Sequence, residues 1–483
     1  MVRMVTLGCP KNVVDAEEIA GALQARGHRL DARAHNADIV VVHTCGFVRD
    51  AQEESVNAVL QAVEDKRAGR CRRVVVTGCL AQRFADALRD AIPEVDGFVG
   101  TGSTDRAAEV IASVEHAEAP LLQVERRPRH VWQATPTRAL STPPWTAYLK
   151  IGEGCGHRCS FCAIPAIRGP HVSKPFEAVL AEARHLAGQG VKELNVVSQD
   201  STQYGYDLGR RSQLAPLLRE LARLPGIRWV RALYCYPSRL TLDVIEAIVG
   251  TPGVCAYVDL PLQHADEGVL RAMRRPGSGQ AYLRLIRRIR RANPDACIRT
   301  TFITGFPGET EEAFASLQRF VVTAEFDRVG VFAYSTEEGT PAARLPGRPS
   351  AKEAERRREA LLQMQRDISL DRNRRWVGRE LEMLVESVRP LAVSQGRRQG
   401  RLLRGRTFRD APEIDGAVEA AAAWGEPGDF VTVRVERAGP YDLFGRASAP
   451  VGRSRAARPS PSISPAADDV TPDGSGFVTI GFM

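Results

Sequence analysis

Short apolar runs alternate with amphipathic stretches over the first hundred residues. Val2–Leu7, Asp38–His43 and Arg73–Thr77 read as strands. Val13–Ala25, Ala51–Glu64 and Ala81–Ala91 carry apolar positions at helical spacing. This alternation predicts a parallel α/β sheet with helices on its faces over residues 1–114. Residues 115–145, rich in Pro, Arg and Thr, read as a linker or extended excursion. Six further strands are expected between 146 and 345: Thr146–Ile151, Glu193–Val197, Arg228–Tyr234, Ala256–Leu260, Cys297–Ile303 and Arg328–Tyr334. Helical patterns separate them, such as Pro175–Ala187, Leu214–Arg223, Leu240–Val249, Tyr282–Arg291 and Glu311–Val322. Six βα units predict a partial (βα)6 barrel, with chemistry on the loops at the carboxyl ends of its strands. A charged helix is expected within 346–376, roughly Ala351 to Arg375. Alternating runs at Leu381–Glu386, Leu402–Thr407 and Phe430–Arg437 predict a small antiparallel β barrel over 377–446. The tail, 447–483, is dense in Pro, Ser and Ala and is expected to be disordered.

Composition adds a location. No run of about 18 apolar residues suggests a membrane span, and the first residues lack the apolar stretch and cleavage site of a signal peptide. The expectation is a cytoplasmic protein with no membrane partner. In a reducing compartment the ten cysteines point to metal or chemistry rather than disulfides. The net charge of +8 leans toward an acidic partner such as RNA or a ribosome. Within 377–446, however, eleven Arg balance eleven Asp plus Glu, so that unit is not a strongly basic RNA binder.

The sharpest chemical signal is Cys155-x3-Cys159-x2-Cys162. Three thiolates on one loop can grip three corners of a four-iron cluster and leave the fourth iron open. Zinc is the alternative, but its structural sites are usually closed tetrahedra built from paired knuckles, and no second pair lies nearby. His157 is too close to Cys155 and Cys159 to be a comfortable fourth ligand. Cys9, Cys45 and Cys79 each follow a predicted strand within about two residues. Loops at the carboxyl ends of parallel strands gather on one sheet edge, where open α/β folds hold ligands. The three are therefore expected to converge as a second iron–sulfur site, although a lone cysteine is usually a small buried hydrophobe. Cys71, Cys235, Cys255 and Cys297 read as structural. Gly305, in the loop Gly305-Phe306-Pro307-Gly308-Glu309, either lets backbone approach a ligand or forms a plain turn, and Glu309 reads as a first-turn helix carboxylate. His264, at a strand end, reads equally as a site residue or a hydrogen-bonded structural histidine. The Arg-rich stretches at Arg284–Arg291 and Arg397–Arg406 read as solvated faces, with ribosomal RNA contact as the sharper alternative.

The segment from Ala147 to Pro165 resembles the core of the radical S-adenosylmethionine (SAM) methylthiotransferases. The settings TLGCPKN, HTCGF and TGCLAQR resemble that family's auxiliary-cluster domain, and 377–446 resembles its terminal TRAM barrel. ELNVVSQDSTQYGYDL, YVDLPLQHAD, YSTEEGTPAARL and RTFRDAPEIDG resemble the branch that modifies an aspartate on protein 12 of the small ribosomal subunit. The resemblance implies two 4Fe–4S clusters, one on Cys155, Cys159 and Cys162 and the other on Cys9, Cys45 and Cys79. It implies SAM both as radical source and as methyl donor, with transfer of a methylthio group to the aspartate β-carbon. Phe161, Ser198, Gln199, Gln263 and Gly305 are the candidate SAM contacts. The partners implied are protein 12, free or on the ribosome, and an electron donor protein, with ribosomal RNA as a further contact and the enzyme a monomer. Two rivals stand beside this reading. One is a transfer-RNA adenosine methylthiotransferase, against which Gln263-His264 and the Arg406–Gly416 stretch argue. The other is a non-catalytic iron–sulfur or zinc RNA chaperone.

Overall fold

In the N-terminal quarter the apolar runs become a five-stranded sheet in sequence order, every pair parallel. The computed structural model describes residues 1–31, 34–128, 130–132, 138–209, 211–391 and 400–450. The first elements are β1 (Val2–Thr6), α1 (Pro10–Ala25), β2 (Ala37–Thr44), α2 (Arg49–Arg67), β3 (Cys71–Gly78), α3 (Cys79–Ala91), β4 (Gly97–Val99), α4 (Ala107–Ser113) and β5 (Leu121–Gln123). The near-continuous valines of β2 and β3 are buried on both faces, as a parallel sheet clad by helices requires. Val40, Val42, Val74 and Val76 pack under α2 and α3. Ile39, Val41 and Val75 pack under α1 and α4. The sheet reaches into the stretch read as a linker, because Leu121–Gln123 pairs with β4 as its edge strand. Three residues are too few for a periodic signal.

The central unit follows as β6 (Thr146–Lys150), β7 (Gly152–Glu153), α5 (Ile164–Arg168), β8 (Val172–Ser173), α6 (Phe176–Gly188), β9 (Glu193–Val197), α7 (Leu214–Ala222), β10 (Trp229–Ala232), α8 (Leu242–Gly250), β11 (Tyr257–Gln263), α9 (Glu267–Ala272), α10 (Gly279–Ala292), β12 (Cys297–Thr304), α11 (Glu311–Ala324) and β13 (Arg328–Ala333). Its strands form two parallel triplets, β6-β9-β10 and β11-β12-β13. Cys235 N donates to Asp259 O at 2.9 Å and joins the triplets. The six expected strands thus line up in order as an open barrel, and one apolar core runs beneath its helices.

α12 (Ala351–Arg374) packs on β13 and is capped by Ser350 Oγ, which accepts from Glu353 N at 3.1 Å. The last strands, β14 (Glu380–Pro390), β15 (Arg401–Arg406), β16 (Val418–Ala422), β17 (Phe430–Ala438) and β18 (Leu443–Pro450), close a small barrel. It is not wholly antiparallel, since β16 and β18 pair in parallel. Arg406 grips Glu193 of β9 through both guanidinium ends, at 3.0 and 2.6 Å, and so fastens the small barrel to the central unit. Of the tail, 447–450 belong to β18, and 451–483 lie outside the described residues, as do 397–399 of the second Arg-rich stretch. No helix among the described residues is long and apolar enough to cross a membrane.

Candidate functional site

The carboxyl edge of the N-terminal sheet faces the mouth of the open barrel, and all six predicted cysteine ligands line one cavity of about 120 Å³ between them. Cys9 ends the turn after β1, Cys45 follows β2 directly, and Cys79 opens α3 after β3. Pro10 at the first helical position starts α1 immediately behind Cys9. Two glycines make the approach possible. Gly8 has φ +94°, and a Cβ there would lie 2.7 Å from Cys45 Cβ. Gly78 also has φ +94°, and a Cβ there would lie 2.6 Å from the Thr44 carbonyl oxygen. Asn12 ties the turns together. Its Nδ2 donates to the carbonyls of Leu7 (2.9 Å) and Thr44 (3.0 Å), and its Oδ1 accepts from Cys79 Sγ at 3.6 Å.

Cys155, Cys159 and Cys162 sit on the loop between β7 and α5. Gly154 has φ +70°, and a Cβ there would lie 2.1 Å from the Pro170 carbonyl oxygen, so only glycine lets the loop pass so close. Gln203 Nε2 donates to Cys155 Sγ at 3.7 Å, and Arg275 Nη1 donates to Cys159 Sγ at 3.5 Å. Arg275 also donates to the Pro261 carbonyl at 2.5 Å and lies 4.3 Å from the centre of the Tyr236 ring. His157 turns away from ligation: its Nε2 pairs with Asp200 Oδ2 at 2.7 Å, and its ring stacks on Tyr236 at 3.7 Å.

A buried ionic seam joins the two halves beside the cavity. Arg168 donates to Asn12 Oδ1 (2.6 Å), Asp15 Oδ2 (2.8 Å) and Glu153 Oε1 (2.9 Å), while Lys150 pairs with Asp15 and with Glu153 Oε2 (3.2 Å). Burial pushes the Glu153 carboxyl up, but Arg168 and Lys150 more than offset it and hold it at about 2. The same two cations outweigh burial at Asp15 and pull its carboxyl far below the usual range. Burial drives the Cys79 and Cys155 thiols up to about 11, with the neighbouring Cys9 and Cys159 adding to it. Cys45 and Cys162 are raised as well, first by burial and then by the other thiols of their own trio. Burial thus favours the protonated thiols, and a metal bound there would have to displace the protons.

The donor set fits anionic iron–sulfur clusters. Six soft thiols line the cavity, no Asp or Glu among the described residues does, and Arg168 and Arg275 bring positive charge to the thiols.

Of the five candidate SAM contacts, Phe161, Gln199 and Gln263 line the cavity. Gln199 Oε1, Gln263 Oε1 and Ser198 Oγ are buried with no hydrogen-bond partner among the described residues, and Ser198 is not part of the lining. Orphaned buried oxygens of this kind mark a place for a ligand. Gly305 lies elsewhere: it has φ +73°, and a Cβ there would meet Ala354 Cβ of α12 at 2.2 Å. His264 is also outside the lining. It is fully buried, pairs with Glu309 at 3.1 Å and accepts from Asp266 N at 3.0 Å. Glu309 does more than favour a helix start, because it also holds Arg357 at 3.1 Å and accepts from Gly305 N. Cys235 is fully buried in the barrel core, while its neighbours Tyr234 and Tyr236, in the loop after β10, line the cavity. Sequence reasoning missed Lys11, Asn12, Arg168, Tyr234, Tyr236 and Arg275. The signal that could have found some of them was adjacency to a cysteine turn or strand end.

Residues 1–100 match the "Uncharacterized protein family UPF0004", 149–321 the "Radical SAM superfamily", and 377–447 the "TRAM domain". The chain is 47% identical over 454 residues to the "Ribosomal protein uS12 methylthiotransferase RimO" of Symbiobacterium thermophilum, covering 93% of this chain and 91% of that protein. It is 44% identical over 444 residues to the protein of the same name from Pelobacter propionicus, covering 92% and 97%. Among solved structures it is similar in fold to the radical S-adenosylmethionine methyltransferase TsrM of Kitasatospora setae, with a TM-score of 0.53 and 16% identity over 71% of this chain and 77% of that one.

Proposed function

The chain belongs to the RimO family of ribosomal protein uS12 methylthiotransferases, and from that premise we propose that it places a methylthio group on the β-carbon of an aspartate of uS12. The observation that supports this reading most directly is the cavity lined by both thiol trios and, among the described residues, by no carboxylate. Cys155, Cys159 and Cys162 would hold one 4Fe–4S cluster, and Cys9, Cys45 and Cys79 the other. Each set of three protein ligands leaves one iron for an external ligand. When bound, the clusters and SAM together supply a 5′-deoxyadenosyl radical and a transferable methylthio group. The chain's own residues do the positioning. Arg275 and Gln203 donate to cysteine sulfurs of one trio, and Asn12 fixes the turns of the other. Phe161, Gln199 and Gln263 are the contacts proposed for SAM, with Ser198 behind them. The small cavity and its aromatic walls, Phe47, Tyr234 and Tyr236, exclude water from a reactive radical.

The small barrel is proposed to dock the substrate protein or ribosomal RNA, with the enzyme a cytoplasmic monomer fed electrons by a carrier protein. Anaerobic reconstitution with iron and sulfide, followed by SAM, reductant and uS12, tests the reading by mass spectrometry. A methylthio mass gain on one aspartate supports it. SAM cleavage with unmodified uS12 and a modified adenosine in transfer RNA would replace it with the nucleic-acid reaction.

A further inference from the structure

Three positive side chains line the cavity, and two are already engaged. Arg168 is held by Asn12, Asp15 and Glu153, and Arg275 by Pro261, Cys159 and the face of Tyr236. Lys11 is different. It is only 5% exposed, and it makes no ion pair among the described residues. Its Nζ lies 3.6 Å from the centre of the Tyr234 ring. A cation–π contact orients an ammonium group but does not neutralise it. A buried cation without an anion is costly, so the arrangement points to an anion that arrives with a ligand.

Tyr234 strengthens the case. Its φ is +60°, a conformation that bulky residues rarely adopt. Its N–H donates to Asp259 Oδ2 at 2.9 Å, which helps hold the backbone there while the ring lines the cavity. Lys11 belongs to α1, two residues after Cys9, whereas Tyr234 belongs to the central unit. The pair therefore spans the gap between the two cysteine trios.

We propose that Lys11 is the recognition cation for the side-chain carboxylate of the acceptor aspartate. This rests on the reading above that the acceptor is an aspartate. The carboxylate is bonded to the β-carbon that receives sulfur. A cation on that carboxylate, carried by the same turn as Cys9, fixes the β-carbon beside the first trio. An uncharged acceptor forgoes this contact. SAM also carries a carboxylate, but the placement of Lys11 on the Cys9 turn favours the protein substrate as the source.

The test uses reconstituted enzyme with both clusters loaded, as wild type, Lys11→Met and Lys11→Arg. Each is titrated with labelled uS12 carrying either Asp or Asn at the acceptor position, and SAM affinity is measured separately. Wild type is expected to bind the Asp form about tenfold or more tightly than the Asn form. Lys11→Met should erase that preference, Lys11→Arg should keep part of it, and SAM affinity should hold in both. Discrimination by Lys11→Met equal to wild type would overturn the proposal. So would lost SAM affinity with the Asp preference intact, because the cation would then read SAM. If Lys11→Met fails to load iron, the wild-type comparison decides: equal affinity for Asp and Asn forms sinks the idea. Wild type that methylthiolates uS12 while Lys11→Met discriminates normally defeats this inference alone, whereas wild type that leaves uS12 unmodified defeats the functional reading with it.

Discussion

The two cysteine trios share a cavity but are built by opposite means. Cys155, Cys159 and Cys162 lie within eight residues on one loop, so backbone connectivity alone keeps them close. Cys9, Cys45 and Cys79 come from three βα units, and only the register of β1, β2 and β3 brings them together. The first kind of site can survive in a poorly folded chain. The second exists only when a sheet exists. The difference separates a motif from a fold-dependent site, even where both offer the same three sulfurs.

Removing one sulfur from each trio should give the largest contrast. Cys155→Ala should abolish both 5′-deoxyadenosine formation and the methylthio product. Cys9→Ala should abolish the product while SAM cleavage continues, both read by liquid chromatography and mass spectrometry. If both variants cleave SAM, the assignment of the trios is wrong. Next in size is the dependence on sheet geometry. Gly78→Ala places a Cβ 2.6 Å from the Thr44 oxygen at φ +94°. It should cost about 1–3 kcal/mol and lose roughly half the bound iron. A synthetic peptide spanning 152–164 should still assemble a cluster with iron and sulfide. Failure of the peptide would blur the distinction between the sites.

The ionic seam gives a smaller and graded effect. Asp15→Asn removes one partner of Lys150 and Arg168 and should lower stability by about 3 kcal/mol in urea titrations. Asp15 titrates below its unfolded value, so its contribution is complete above the ordinary carboxylate range and lost as pH falls below it. Wild type and Asp15→Asn should therefore converge in stability on acidification. A constant gap would refute the ionic account. The smallest expected change is electronic. Arg275→Met removes a charged donor to Cys159, and the midpoint potential of that cluster should move negative in a titration followed by electron paramagnetic resonance. The other cluster should hold its potential, and a joint shift would mean that Arg275 acts on the whole cavity.

The same contrast explains what the sequence disclosed. The Cys155 loop was legible because its spacing is local. The first trio was legible because strand, small residue and cysteine recur three times. The six barrel strands showed in their apolar runs and lie in the expected order. The cavity's cations did not show, because Lys11, Arg168 and Arg275 are ordinary basic residues until three separate elements meet. The flexibility of Gly305 was legible, and it does have positive φ, but its close neighbour is Ala354 of a helix fifty residues on. β5 is too short for periodicity to reveal, and the parallel β16–β18 pair depends on closing the barrel.

The strand order of the N-terminal sheet also sets a calendar. Because β1, β2 and β3 are neighbours in both sequence and space, the first trio is complete once synthesis has passed Cys79 and β3 has paired. Cys155 is then still 76 residues away (155 − 79), which at typical rates of translation is about 4–15 s. During that interval the nascent chain can present three thiols on the edge of the β1–β3 part of the sheet with no barrel to cover them. Any iron delivered to these thiols would therefore have its widest access before the rest of the protein exists, and the barrel's arrival would shut the door.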